Sequence, residues 1–295
     1  MNFDPADVAP ADRAKAAEAA RTLTLREIRD PSDPAFDAAY DLLDGFFGPL
    51  GELEDRAVLA RFTRERHLDY GPGLRGTYHL IGAWDGDVLV GVRDCYVDLD
   101  DRVGVCLVGL SHSFVLPAWR RSGLGALFRA VPVALAREAG PRPTLLAAEM
   151  EPVDLARPET IVRLVAYGRS GFGVFDPQRF RYSQPDFRAP SDAGHTAIPM
   201  LGVVRLLGLG PDRVSAEVAE AFPRLFHVCH RMYLSASRVD PSERHAVDTL
   251  RASPDPVRLL RLPQAIDDAE ALVPLTRDAV LPLYPVGLRG AAEVL

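Results

Sequence analysis

Lysine is almost missing from this chain of 295 residues: Lys15 is the only one, and every other Lys/Arg position is arginine. The bias runs with abundant proline (25) and glycine (23). It is therefore a composition preference, and an arginine becomes informative only where its position is special. A surplus of positive charge is missing too. The formal net charge is -7, which argues against a broad nucleic-acid-binding surface, because phosphate binding needs a basic field; a local basic pocket stays open. Cysteine is scarce. Cys95, Cys106 and Cys229 are too few and too scattered for a disulfide framework, and Cys106 sits in an apolar run as core filler. No apolar run reaches the roughly 18 residues of a membrane span. The start "MNFDPADVAPADRAK" has neither the basic opening nor the apolar stretch of an export signal. These absences lead to the expectation of a cytoplasmic protein with neither nucleic acid nor membrane as partner.

The residues that are present suit one large domain, or a domain with an appendage. Residues 1–21 are rich in Ala, Asp and Pro and are expected as a mobile N-terminal arm or a loose helix. From Thr22, "TLTLREI" alternates as a strand does. "PAFDAAYDLLDGFF" carries Phe36, Tyr40, Leu43 and Phe47 at helical spacing until Gly48 and Pro49 stop it, and a second helix follows over residues 54–67. "TYHLIGAWDGDVLVGVRDCYVDL" predicts a hairpin turning at Asp85-Gly86, with Asp98, Asp100 and Asp101 at the next turn. "VGVCLVGLSHSFVLP" is apolar on both faces, the pattern of a central strand. The next helix has a one-sided stripe of Leu124, Leu127, Phe128, Val131 and Leu135, is interrupted by Pro132 and ends at Gly140-Pro141. "TLLAAEM" is a strand, and Pro158 starts a helix through Tyr167 and Arg169. "FGVFDPQRFRYSQ" and "TAIPMLGVVRLLG" are two further strands. The pattern predicts a mixed α+β fold with a mixed central sheet flanked by helices over residues 22–209, and a mostly helical extension over residues 210–295.

The chemistry concentrates where the central strand hands over to the helix, in "FVLPAWRRSGLGALFRA". A helix N-terminus offers unpaired N–H groups and the positive end of the helix dipole. Glycines let a bound anion come close to the backbone, and Arg120 and Arg121 add charge just before the helix. This combination suits a phosphate or pyrophosphate. The Gly-Lys-Ser/Thr ending of a Walker loop is absent. So are the third small residue and the early βαβ unit of a dinucleotide fingerprint: Phe128 stands three positions after Gly125.

The segment Arg120-Arg121-Ser122-Gly123-Leu124-Gly125 resembles motif A of the GCN5-related N-acetyltransferases, Arg/Gln-x-x-Gly-x-Gly/Ala. Its lead-in Val115-Leu116-Pro117 and Trp119 resemble that family as well. About forty residues on, "AYGRSGFGVF" resembles the family's motif B through Tyr167, Gly171 and Phe172. The Asn that often opens that helix is absent, with Thr160 near its place, and the connection to Tyr167 is longer than usual. The resemblance covers residues 22–209. It implies the acyl-CoA N-acyltransferase fold, with acetyl-CoA as cosubstrate and no metal. It also implies a splayed strand at Ser113, Phe114 and Val115 that pairs with the pantetheine arm. The loop that holds the pyrophosphate would be Arg120 and Arg121 through Ser122, Gly123, Leu124, Gly125 and Ala126.

The reaction so implied is direct transfer of an acetyl group to an amine, small-molecule or peptide. Tyr167 would protonate the leaving thiolate. A base must take the amine's proton; Glu149, where the family often has one, ranks first, then Glu151, then His112. Strand N–H groups near Phe114 and Val115 would polarise the carbonyl. Glu52, Glu54 and Asp55 stand where the fold usually lines its acceptor side and could draw in a cation or simply cap a helix. His227, Cys229 and His230 cluster on one helix but lack a fourth zinc ligand and are expected as packing. The extension could close over the acceptor or build a homodimer. A longer acyl-CoA, or CoA binding without catalysis, are the rival readings.

Overall fold

The computed structural model describes residues 4, 7–8, 10–187, 197–210 and 212–285. The chain divides into two units, Met1–Arg142 and Pro143–Leu295. The first runs α1 (Arg13–Thr22), β1 (Thr24–Ile28), α2 (Pro34–Phe47), α3 (Arg56–Glu65), β2 (His67–Asp69), β3 (Leu74–Asp85), β4 (Val88–Asp100), β5 (Val105–Val115) and α4 (Leu124–Glu138). Every strand pairing described within this unit is antiparallel: β4 lies between β3 and β5, while β1 and β2 both pair with β3. The hairpin turns at Gly86-Asp87, one residue later than expected, because Asp85 itself closes the ladder against Val88. Asp33 starts α2 by accepting from the Ala35 amide at 2.9 Å, with Pro34 in the first turn, the arrangement that satisfies one of a helix's orphan donors. Phe36, Ala39 and Leu43 are the buried face of α2.

Helix α4 is buried more widely than its stripe predicts. Ala126, Ala130, Val133, Ala134 and Ala136 are buried along with Leu124, Leu127, Phe128, Val131 and Leu135. A second helix accounts for part of this: α1 packs on α4, where Ala16 and Val8 form an apolar cluster with Ala126 and Ala130. Around it, Asp12 pairs with Arg129 at 3.3 Å, and Asp7 pairs with Arg137. The stretch expected as an arm or a loose helix thus contains a helix with Ala16 and Ala19 buried; residues 1–3, 5, 6 and 9 of it lie outside the described residues. Small residues let the two helices meet at backbone distance. α4 runs unbroken through Pro132, which costs it one backbone hydrogen bond.

The second unit runs β6 (Thr144–Met150), α5 (Pro158–Arg169), β7 (Gly173–Phe175), β8 (Tyr182–Pro185), β9 (Ala197–Leu207), β10 (Arg213–Val214), α6 (Ala216–Arg231), α7 (Ala236–Arg251), β11 (Val257–Arg261), α8 (Ala269–Leu272) and α9 (Arg277–Val280). Its strands are ordered β6-β9-β7-β11-β10, with β8 also on β9, and these pairings are antiparallel. "FGVFDPQRFRYSQ" is two strands, not one, because the Arg179 and Phe180 amides turn back onto the Asp176 carbonyl at 2.9 Å. The extension beyond residue 209 is not only helical: β11 pairs with β7 and so completes this sheet. Residues 286–295 of its tail lie outside the described residues. Helix α6 is capped by Ser215, which accepts from the Val218 amide at 3.2 Å, and buries Phe222, Leu225 and Phe226. The fold is mixed α+β, with a mostly antiparallel sheet flanked by helices. Among the described residues no helix is long and apolar enough to cross a membrane.

The α1–α4 contact has a single-residue test at Gly123. Its φ is +99°, and a Cβ there would lie 2.2 Å from the Lys15 carbonyl oxygen. Gly140 has a similar φ of +109° but open space around it. Gly140→Ala should cost about 1–2 kcal/mol of unfolding free energy through backbone strain alone, and Gly123→Ala clearly more. Equal losses in denaturant titrations would mean that α1 does not press on Gly123.

Candidate functional site

Helix α4 begins without a side-chain cap: Gly123 is its N-cap residue and makes no capping bond. Arg121 has φ +72° and Gly123 φ +99°, so the chain alternates handedness as it enters the helix. Successive amides in such a turn point into one concavity and make an anion nest. The Gly123 carbonyl accepts from the Ala126 and Leu127 amides at 3.0 Å, and the Leu124 amide donates to Ser122 Oγ at 3.3 Å. The amides of Arg121, Gly123 and Gly125 have no acceptor among the described residues. Arg120 and Arg121 are exposed, and neither has an acidic partner among the described residues, whereas Arg129 and Arg137 on the same helix do. The two glycines play different parts. The Cβ direction at Gly123 is filled by the chain's own Lys15 carbonyl, but a Cβ at Gly125 would meet nothing nearer than Arg129 Nη1 at 3.7 Å. The open approach expected of both glycines is thus found at Gly125.

Ser113, Phe114 and Val115 form the end of β5, and β4 stays paired with them as far as Gly91 opposite Val115. The ladder is irregular at Asp94. Its carboxylate replaces a backbone partner, accepting from the His112 amide at 2.6 Å, His112 Nδ1 at 3.2 Å and the Tyr78 hydroxyl at 3.0 Å. On the other side of the ring, His112 Nε2 donates to the Glu52 carbonyl at 2.8 Å, and the Glu54 carboxylate lies 4.0 Å away. Burial pulls the imidazole pKa down, but the charge of Asp94, its hydrogen bond and the charge of Glu54 outweigh this and hold it at about 10. His112 is therefore an imidazolium at neutral pH with both nitrogens donating. It ties the loop between α2 and α3 to β5. Phe47 packs edge-on to the His112 ring at 4.9 Å, and Phe46 packs against Phe114 at 5.2 Å. Glu54, one of the three acids on that loop, is turned inward with 13% of its side chain exposed.

In the second unit, Glu149 is the one residue of β6 that is not fully buried, and its carboxylate accepts from the Tyr182 hydroxyl. Glu151, just past the strand, is held by Arg163 at 2.7 Å. Tyr167 is half-buried near the end of α5, edge-on to Phe172 at 5.0 Å, and its carbonyl accepts from the Phe172 amide at 3.2 Å. Thr160 donates to the Arg157 carbonyl at 2.8 Å and accepts from the Asp154 amide at 3.3 Å, so it organises the start of α5. His227 bonds the Pro223 and Ser183 carbonyls at 2.7 and 3.0 Å, and Cys229 is buried. Among the described residues no group of three His, Cys, Asp or Glu side chains is placed to hold a metal ion.

Two residues here were not singled out from the sequence. Asp94 had a signal, an acid in the middle of a largely apolar strand, which has to find a partner if it is buried. Tyr182 had none. A groove of about 710 Å³ in the first unit, lined by His67, Thr77, His79, Leu99, Leu135 and Glu138, contains none of the residues that the motifs name.

The chain is similar to solved acetyltransferase structures. A putative GNAT-family acetyltransferase from Bacteroides thetaiotaomicron is 20% identical, with 72% of this chain and 98% of that one covered, at a TM-score of 0.44. An acyl-CoA N-acyltransferase from Pseudomonas aeruginosa is 20% identical over 62% of this chain and 97% of that one, at 0.35. An aminoglycoside acetyltransferase from an uncultured soil metagenomic sample, solved with sisomicin, is 18% identical over 42% and 75%, at 0.33. No family model matches the chain, and no curated protein matches it.

The His112–Asp94 pair makes stability depend on pH in a defined window. His112 titrates at about 10 in the folded chain against an ordinary 6.5. The stabilisation is therefore fully present below pH 6.5 and is lost as pH rises toward 10, at up to about 1.4 kcal/mol per pH unit. Unfolding free energies measured across pH 6.5 to 10 should fall in the wild type and flatten in His112→Gln. Parallel slopes would remove the pair from the account.

Proposed function

We propose that this protein is an N-acetyltransferase of the GCN5-related kind, moving the acetyl group of acetyl-CoA to a primary amine by direct attack. One observation carries the reading. The start of α4, where the amides of Arg121, Gly123 and Gly125 have no acceptor and Arg120 and Arg121 no acidic partner among the described residues, coincides with the Arg-x-x-Gly-x-Gly motif. A diphosphate meets these requirements: it accepts several N–H bonds and favours the positive end of the helix dipole. The open space over Gly125 leaves room for its oxygens.

Acetyl-CoA, when bound, supplies the thioester whose acyl carbon the amine attacks. The chain's own groups do the rest. Arg121, Ser122, Gly123 and Gly125 hold the pyrophosphate; Ser113, Phe114 and Val115 direct the arm and polarise the carbonyl through backbone N–H groups, whose aim costs no reorganisation during reaction. Glu149 takes the proton from the amine, directly or through water, since it alone of the β6 residues is not buried and a base has to reach the proton that it removes. Tyr167 returns a proton to the thiolate. His112 is left out of the proton transfers, because it is already charged at working pH, and is assigned to holding β5 and the acidic loop together. The reading includes a soluble, cytoplasmic enzyme without a metal.

Gly125→Glu tests the cradle, because it puts bulk and negative charge into the one open approach. CoA affinity by calorimetry should fall at least about 100-fold, roughly 2.7 kcal/mol, with thermal unfolding little changed. Thiol release from acetyl-CoA, with a polyamine, an aminoglycoside and an amino acid as acceptors, should fall with it. Unchanged affinity would put the CoA site elsewhere.

A further inference from the structure

The second unit contains a feature that the motifs do not account for. Tyr182 is completely buried, yet its hydroxyl ends on the carboxylate of Glu149. Everything around Tyr182 fixes its ring. Phe180 stacks on it at 6.3 Å and 24°, and Phe222 of α6 meets it edge-on at 5.1 Å. His227 of α6 packs at 5.1 Å and donates to the neighbouring Ser183 carbonyl at 3.0 Å. Ser183 Oγ bonds Ser242 Oγ of α7 at 2.9 Å, and the Tyr284 hydroxyl donates to the Tyr182 carbonyl at 2.6 Å. A ring so packed has one orientation, so its hydroxyl has one address.

The sheet makes room for this arrangement. Gly202 on β9 lies opposite Glu149 in the ladder, and a Cβ there would come within 2.5 Å of Phe180. Only a residue without a side chain lets the Phe180 ring lie beside Tyr182 at this point. Most of the fixing groups, Phe222, His227, Ser242 and Tyr284, come from beyond residue 209. The extension that the sequence left as a lid or a dimer interface is built into the support of a site residue.

We propose that Tyr182 is the positioning residue for Glu149, and that the C-terminal extension exists in this chain to hold it. The inference rests on the acetyl-transfer reading, in which Glu149 is the base. A base is useful if its carboxylate is ionised and points one way before the amine arrives. A phenol that donates one hydrogen bond from a fixed position does both: it favours the charged form and removes rotational freedom. Burial, and then the charge of Glu149, raise the Tyr182 pKa well above its ordinary value, so it remains a donor over the working range. Among the described residues the other titratable groups facing it include Cys229 and His227 of α6, Tyr233 just beyond it and Tyr284 on its carbonyl; Gly202, on β9, brings no charge.

Tyr182→Phe keeps the ring and removes the donor. The Glu149 side-chain carboxyl can be titrated directly by carbon-13 NMR, its resonance identified by its loss in Glu149→Gln. It should titrate about one pH unit higher in Tyr182→Phe. The acid limb of kcat/KM for thiol release from acetyl-CoA, with the amine that the wild type uses best among spermidine, kanamycin and glycine, should move up by the same amount. Thr63→Val is the control: it removes a buried hydrogen bond, from Thr63 Oγ1 to the Leu59 carbonyl within α3, that has no part in fixing Tyr182, and both readings should stay where they are. A Glu149 titration unmoved by Tyr182→Phe overturns the proposal, as does a titration that moves while the acid limb does not. A wild type that binds acetyl-CoA but releases no thiol with any amine overturns the acetyl-transfer reading itself, and the NMR titration keeps the two failures apart.

Discussion

A helix that starts without a side-chain cap leaves donors that something else must satisfy, and α4 starts that way. Gly123 brings no side-chain cap, and the amides of Arg121, Gly123 and Gly125 have no acceptor among the described residues. Burying such groups unpaired would cost on the order of 1–3 kcal/mol each. Leaving them at the surface, beside two exposed arginines, makes a place for an anion instead. Two contacts of the first unit fix this arrangement. Helix α1 presses its backbone onto Gly123 and pins the turn from one side; the His112–Asp94 pair fixes the strand that leads into it.

These supports are of different kinds. The α1 contact is steric and short-ranged, made by alanines and a carbonyl where any larger residue would push the helices apart. The His112 clamp is electrostatic and buried. A buried charge is expensive unless its partners are close and well aimed, and His112 has a carboxylate on one nitrogen and a carbonyl on the other. Its position between β5 and the loop after α2 couples that strand to the loop that carries Glu52 and Glu54. In the second unit an uncharged phenol does the comparable work for Glu149 without adding a second ion.

Much of this was legible in the sequence, where local patterns decide the outcome. The alternation around Gly86, the helix starts at Pro34 and Pro158, and the glycine-rich entrance to α4 all depend on neighbours within a few residues. What was not legible depends on distant partners. The stripe on α4 predicted one buried face, but α1 covers another, and nothing in an Ala-rich N-terminal stretch says what it will lie on. Gly123 looked like an opening for a ligand and is filled by Lys15, more than a hundred positions earlier in the chain. Tyr182 looked like any strand aromatic, since its meaning lies in Glu149 across the sheet and in Phe222 from the extension. The long strand read from residues 172–184 broke in two because a turn at Asp176 competed with the alternation.

On the proposed function, the α4 entrance binds the diphosphate of CoA through its own amides. Nitrogen-15 NMR of the full chain, titrated with CoA, reads those amides one by one. Saturable shifts should be largest at Arg121, Gly123 and Gly125, with the Lys15 and Ala16 amides moving less. Saturable binding whose shifts centre instead on the groove around His67, Thr77 and Leu135, or no saturable shift at the α4 entrance, would contradict it.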